Sequence, residues 1–290
     1  MRIVITGGSG KLGRVTLDEL VAHGHEVLNL DLQLPRESRV PFTRIDFTDF
    51  GQIAEALTGV DTRATPVDAV VHLAAIPSAG FTTNAATFRN NVVSSYNVFA
   101  AARLAGIKNV VFASSETLLG VPFDDPPPYA PVDEEYPVRP ESTYSLGKAL
   151  DEEMARQFCR WDPMLKMIGL RFSNVMEPAD YSAFPGFDAD PQIRRWNLWA
   201  YIDARDGAQA IRKALEHDAT GMDGFIIANA DTVMSRSSAE LMAQVFPDVP
   251  VRHPLGEHET LLSIDKARKV LGYEPQHPWR TERGSPTPER

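Results

Sequence analysis

Three side chains in this chain, Ser115, Tyr144 and Lys148, can act together in acid–base chemistry. Tyr144 and Lys148 stand four positions apart in a helical pattern, so both face the same way. An ammonium beside a phenol stabilises the phenolate, bringing a group that normally titrates at about 10 into range for work at neutral pH. Ser115 comes just after an apolar run that ends at Ala113. A hydroxyl there, at the carboxyl edge of an open sheet, can hold a substrate oxygen beside the tyrosine. Alone, the Tyr–Lys pair also fits an exposed helix face, and Ser115 also fits a turn-bonding serine.

A second constellation is the run TGGSGKLG at 6–13, which follows an apolar strand pattern and opens a helical one. Gly7 permits a tight turn, Gly10 lets backbone approach a pyrophosphate, and Gly13 lets helix and strand pack closely. Lys11 and Leu12 open the helix whose N-terminus favours negative charge. Asp31 closes the next strand pattern, 18 residues beyond Gly13. A carboxylate there can bond the adenosine ribose hydroxyls and repel a 2′-phosphate, which points to NAD over NADP. Arg36 nearby keeps NADP open.

The elements that must position these groups alternate. Short apolar runs at 2–6, 26–31, 69–73, 109–113, 167–171 and 225–228 read as strands buried on both faces. Between them, helical patterns fall at 12–23, 50–57, 86–104 and 144–160, with Gly24 and Gly106 just past two of the ends. Such alternation predicts an α/β Rossmann fold, a doubly wound parallel sheet with right-handed crossovers. After Arg171 the regularity fails. We expect an NAD-binding domain over 1–172 and a small interleaved C-terminal substrate-binding lobe over 173–280. Residues 204–228 return to the first domain, and 281–290 form a tail without structure. The seven prolines between Pro122 and Pro140 exclude helix and inner strand, leaving a surface loop or a lid beside the active site.

Composition removes other classes. The charge is −10, from 29 Lys and Arg against 39 Asp and Glu, and no run of basic residues relieves it, so nucleic acid is not an expected partner. A single cysteine, Cys159, excludes an internal disulfide, and no cluster has metal-ligand spacing. The longest apolar stretch, 69–76, is broken by His72 and too short to span a membrane. The first strand pattern begins at the N-terminus and leaves no room for a signal peptide, so the expected location is cytoplasmic.

Taken together, TGGSGKLG, Asp31, DFTD (46–49), HLAA (72–75), NNVVSSYNV (90–98), FASSE (112–116), YSLGK (144–148), LRFSNV (170–175) and SIDKARKVLGY (263–273) resemble the extended short-chain dehydrogenases/reductases, the NAD-dependent epimerase/dehydratase group. The resemblance spans about residues 1–275. It implies that Ser115, Tyr144 and Lys148 form the catalytic triad, with Tyr144 and Lys148 also touching the cofactor. Asp46 and Phe47 would bracket the adenine, Leu73, Ala74 and Ala75 would line the dinucleotide cleft, and Asn91 would support its active-site end. Ser78, Glu116 and Asn174 fall on the substrate side. From the residues alone, Asp46 could equally be a helix cap, His72 a core histidine and Asn91 a helix-surface residue. The family usually dimerises through the helices expected here at 86–104 and 144–160, so a homodimer is implied.

The sequence departs from nucleotide-sugar epimerases at Leu119, where many carry an aromatic residue, and at Glu116, which sets an acid next to Ser115. Asn197-Leu198 stands where an Arg-Asp pair usually precedes the Tyr201-Ile202-Asp203 segment, and the arginines are displaced to Arg194 and Arg195. With FASSE, the run RRWNLW is similar to the uronate dehydrogenase branch, which implies that the arginines bind an anionic group on a sugar acid. The leading expectation is an NAD-dependent oxidoreductase acting on a hydroxyl or carbonyl of a small sugar or sugar acid. The alternatives are a sugar or nucleotide-sugar epimerase/dehydratase and a catalytically silent dinucleotide-binding sensor.

Overall fold

The computed structural model describes residues 1–37, 39–59 and 66–282. Its frame is a seven-stranded parallel sheet. In chain order the elements are β1 (Arg2–Thr6), α1 (Lys11–Ala22), β2 (Glu26–Asp31), β3 (Phe42–Arg44), α2 (Phe50–Thr58), β4 (Ala69–His72), α3 (Asn84–Leu104), β5 (Asn109–Ser115), α4 (Thr143–Trp161) and β6 (Lys166–Phe172). There follow β7 (Val175–Met176), α5 (Phe184–Phe187), β8 (Ile202–Asp203), α6 (Ala204–Glu216), β9 (Gly221–Ile227), α7 (Ser238–Val245), α8 (Asp265–Leu271) and α9 (Trp279–Glu282). The strand order is β3-β2-β1-β4-β5-β6-β9, with β7 and β8 paired separately. Because the order reverses between β1 and β4, a crevice opens outside their carboxyl ends, where doubly wound sheets take ligands.

The strands are apolar throughout because both faces are covered. Ile3, Ile5, Val71, Val111 and Leu170 pack with Leu17 and Leu20 of α1 and with Ala210, Ile211 and Ala214 of α6. Val4, Val70, Val110 and Met167 pack on the other side with Ile53, Val98, Phe99, Ala155 and Phe158 from α2, α3 and α4. Thus α6 and β9, although late in sequence, cover and extend the main sheet, with β9 paired to β6 along its whole length. No helix among the described residues is long and apolar enough to cross a membrane.

Three segments differ from the sequence expectation. The Pro122–Pro140 stretch holds neither helix nor inner strand, as expected, but it is not surface throughout. Phe123, Ala130 and Val132 are buried within it, and its backbone bonds to Pro250 and Leu261 on one side and to Leu118 on the other. Thr281 and Glu282 belong to α9, where Glu282 pairs with Arg205 at 3.1 Å; residues 283–290 of the expected tail lie outside the described residues. The sheet also gains β3, an edge strand of three residues with no alternating pattern to announce it.

Candidate active site

The glycine loop forms a cradle without side chains. Gly7 has φ +75°, and a Cβ there would meet the backbone of Ala74 at 2.6 Å. A Cβ on Gly13 would sit 2.2 Å from the Gly7 carbonyl, whereas Gly10 has only that carbonyl nearby, at 3.3 Å. Gly7 and Gly13 therefore set the turn and its packing, and Gly10 keeps the approach open. No side chain caps the N-terminus of α1, leaving its amides for an anion, as a pyrophosphate requires. Asp31 takes hydrogen bonds from the Ser9 and Gln33 amides, at 2.9 and 3.0 Å, which hold its carboxylate beside the loop. These residues fit NAD.

The other residues expected at the cofactor divide. Leu73, Ala74 and Ala75 follow β4, half-buried, with the Ala74 amide bonded to Thr6 Oγ1. Phe47 is buried, while Asp46 is exposed and accepts from the Thr48 amide and hydroxyl. The α2 cap is Asp49, which corrects the reading of Asp46 as a helix cap. Asn91 is buried rather than on a helix surface. It accepts from the Ile76 amide at 2.8 Å and donates to the Ile76 carbonyl at 3.0 Å, so it clamps the chain leaving β4. Lys11 pairs at 2.6 Å with Asp180, and Arg14 pairs with Glu177, tying α1 to the 3-10 turn Pro178–Ala183 that opens the lobe. Ser78 sits half-buried further along the loop after β4.

The three candidate acid–base residues are carried by β5 and the start of α4. Ser115 ends the strand, buried, and accepts from the Thr117 amide and hydroxyl. A reciprocal cap between Ser142 and Ser145 starts α4, placing Tyr144 in its first turn and Lys148 one turn on; both are buried. Lys148 Nζ donates to the Ala113 carbonyl at 2.7 Å, so α4 is fastened to β5 two residues before Ser115. A further bond set holds the helix. Glu152 accepts from Arg171 Nε and Nη2, both at 2.9 Å, and from the Ser114 hydroxyl at 2.8 Å. His72 is a core histidine, bonded to Thr6 and Ser95. Burial and the Lys148 charge hold it down to about 3, so it is neutral.

On the substrate side the arginines separate. Arg194 is buried, its guanidinium 5.3 Å from the Phe187 ring centre and 4.8 Å from that of Trp196, and it donates to the Ala200 carbonyl. Arg195 is half-buried and pairs with Asp124 at 3.5 Å. The adjacent pair therefore does not form one fork; the 3-10 turn Pro191–Asn197 sends the two side chains apart. Glu116 is buried in contact with both lobes, accepting from the Ser173 hydroxyl at 2.6 Å and the Asn197 amide at 3.2 Å. Burial pushes its carboxyl up to about 7, against the pull of those bonds and of Arg194. Asn174 lines a cavity of about 420 Å³ with Lys11, Val175, Met176, Asp180 and Phe187, between the glycine loop and the lobe. Sequence reading missed Asp151, Glu152 and Arg171, and took Asn197 only as a departure from the epimerase pattern. The charges within the apolar pattern of LRF and beside Lys148 were the available signals.

Known proteins share this architecture. The model of the NAD dependent epimerase/dehydratase family matches residues 3–228. A UDP-glucose 4-epimerase of Mycolicibacterium smegmatis is 28% identical, over 95% of this chain and 94% of that protein. One from Yersinia pestis is 30% identical over 70% of this chain and 60% of its own length. Among solved structures, a UDP-galactose 4-epimerase superposes with a TM-score of 0.69 at 28% identity, covering 97% of this chain and 96% of that one. A short-chain dehydrogenase/reductase superfamily protein from Agrobacterium tumefaciens with bound NAD gives 0.71 at 23% identity, over 97% and 94% of the two chains, a likeness of fold. With the family pattern running from β1 through β9 and the cradle built for a dinucleotide, the chain belongs to the NAD-dependent epimerase/dehydratase family of extended short-chain dehydrogenases/reductases.

Proposed function

We propose that the protein is an NAD-dependent oxidoreductase acting on one hydroxyl or carbonyl of a small sugar or sugar acid. The observation that carries this reading is the state of the cations around the cleft. Lys11 and Arg14 of α1 and Arg195 of the lobe are each paired with an acid. A diphosphate needs cations that are not already neutralised. Arg194 is different: its Nε is buried and has no hydrogen-bond partner among the described residues, which suits a single carboxylate more than a nucleotide.

When bound, NAD supplies the hydride acceptor and donor. Gly7, Gly10, Gly13 and Asp31 would hold its adenosine and pyrophosphate half, and Leu73, Ala74, Ala75 and Lys148 the other end. Ser115 Oγ donates to or accepts from the reacting substrate oxygen and fixes its place. Tyr144 Oη exchanges the proton with that oxygen, and Lys148 Nζ stabilises the phenolate that remains. Burial of all three keeps bulk water from competing for the proton.

A second reading, a nucleotide-sugar 4-epimerase, is favoured by the 28% identity to a UDP-glucose 4-epimerase over nearly the full length of both chains. It uses the same residues but returns the hydride to the opposite face. Incubation with NAD and a panel of free aldoses, uronic acids and UDP-sugars separates the two. Net rise of NADH absorbance on a free sugar or uronate supports oxidation. Interconversion of UDP-sugar epimers without net NADH supports the second reading and overturns the first.

A further inference from the structure

Lys148 has a partner that neither the sequence motif nor the reaction requires. Asp151, one turn further along α4, is buried and holds Oδ2 at 3.4 Å from Lys148 Nζ; the two side chains are 1% and 5% exposed. Its Oδ1 is buried and has no hydrogen-bond partner among the described residues. An acid so placed is costly unless its charge is used, because burial favours the neutral form. Polar groups lie around it. Ser95 of α3 faces the carboxylate, and burial raises its pKa while Lys148 and Ser95 oppose the rise. Beyond Ser95 the polar chain continues through His72 of β4, neutral, to Thr6 at the end of β1, with Nε2–Oγ and Nδ1–Oγ1 separations of 3.2 and 2.7 Å. Glu152, beside Asp151 on α4, is fully engaged by Arg171 and Ser114, and the Ala113 carbonyl of β5 takes another Lys148 proton.

We propose that Asp151 is a positioning residue of the reaction: it holds Lys148 in place and sets how strongly that ammonium acts on the Tyr144 phenol. The inference rests on the reading of Tyr144 and Lys148 as the acid–base pair. A phenol beside a lone ammonium feels a full positive charge; beside a Lys–Asp pair it feels a dipole, whose field is weaker and falls faster. Removing the Asp151 charge would therefore leave the pull of the ammonium on the phenol unopposed. Asp151 also ties Lys148 to the polar chain that reaches Thr6 and the Ala74 amide, next to the glycine loop.

The test is a tyrosinate ultraviolet titration of the NAD-bound protein, in which the Tyr144 step is the one that Tyr144→Phe removes. It needs no sugar, so it is independent of the substrate panel. Asp151→Asn should lower the midpoint of that step by roughly one pH unit, since a neighbouring negative charge is gone. Asp151→Glu should return it close to the parent. An unchanged or raised midpoint in Asp151→Asn overturns the proposal, as does a Glu variant that behaves like the Asn one. If Asp151→Asn does not fold, Asp151→Ser is read in the same way. Failure of both neutral variants to fold while the Glu variant folds assigns the carboxylate to stability and also overturns the proposal. If Tyr144→Phe removes no step at all, the acid–base reading falls and this inference with it.

Discussion

Asp31 and Glu116 show how differently two carboxylates can work in one protein. Asp31 is held by two backbone amides at the tip of β2, where the 2′-phosphate of NADP would approach it. Replacing Asp31 with Ala should remove that like-charge repulsion and cut the ratio of NAD to NADP turnover about tenfold or more, measured as kcat/KM with each cofactor. Turnover with NADP equal to that with NAD in the parent would contradict the role. Glu116 reports through pH. Burial raises it from 4.5 to about 7, so the folded state binds its proton more tightly than the unfolded chain does. Its contribution is fully present below the ordinary carboxylate range and is lost as pH rises through about 7, on the order of 3 kcal/mol for the whole span. Glu116→Gln should therefore gain stability over the parent at about pH 8 and gain none at about pH 5, read by denaturant melts at both. A difference that does not vary with pH would refute this.

Among the elements, the glycine loop and the first strands were legible because their signals are local. Glycine spacing, an apolar run and a terminal acid need only neighbours in sequence, and 6–13 and Asp31 fall where expected. The site's supports were not legible, because crossovers bring them together. Glu152 meets Arg171 only when β6 lies beside β5, and Asn197 meets Glu116 only once the lobe folds back. The turn at Pro191–Asn197 lacks a 3.6-residue rhythm and leads into two left-handed residues, Leu198 at φ 53° and Trp199 at φ 57°, so no burial rhythm in the sequence separated Arg194 from Arg195. The cradle makes its own prediction. Gly13→Ala forces a methyl group against the Gly7 carbonyl and should cost about 2 kcal/mol or more, with a matching loss of NAD affinity. Gly10→Ala, with more room, should be much milder. Thermal melts and NAD titration of the two variants give the comparison, and equal effects would contradict the division of labour within the loop.

Exposed apolar side chains on α3 and α4 bear on how whole molecules assemble. Phe99 and Phe158 are buried against the sheet, whereas Tyr96, Leu146 and Trp161 are exposed at 50%, 44% and 49%. Exposed apolar side chains on two neighbouring helices predict a homodimer, and light scattering at micromolar concentration should give twice the chain mass of 32.0 kDa. A one-chain mass would refute it. Within each molecule, β5 and the start of α4 carry Ser115, Tyr144 and Lys148, which we propose move a proton as NAD takes a hydride. The decisive quantity is the single-turnover rate of nicotinamide reduction, followed by absorbance, for the parent and Tyr144→Phe with the sugar that the panel identifies. The variant should be slower by about a hundredfold or more, with NAD affinity within a few-fold of the parent. Equal rates in the two proteins would remove Tyr144 from the chemistry.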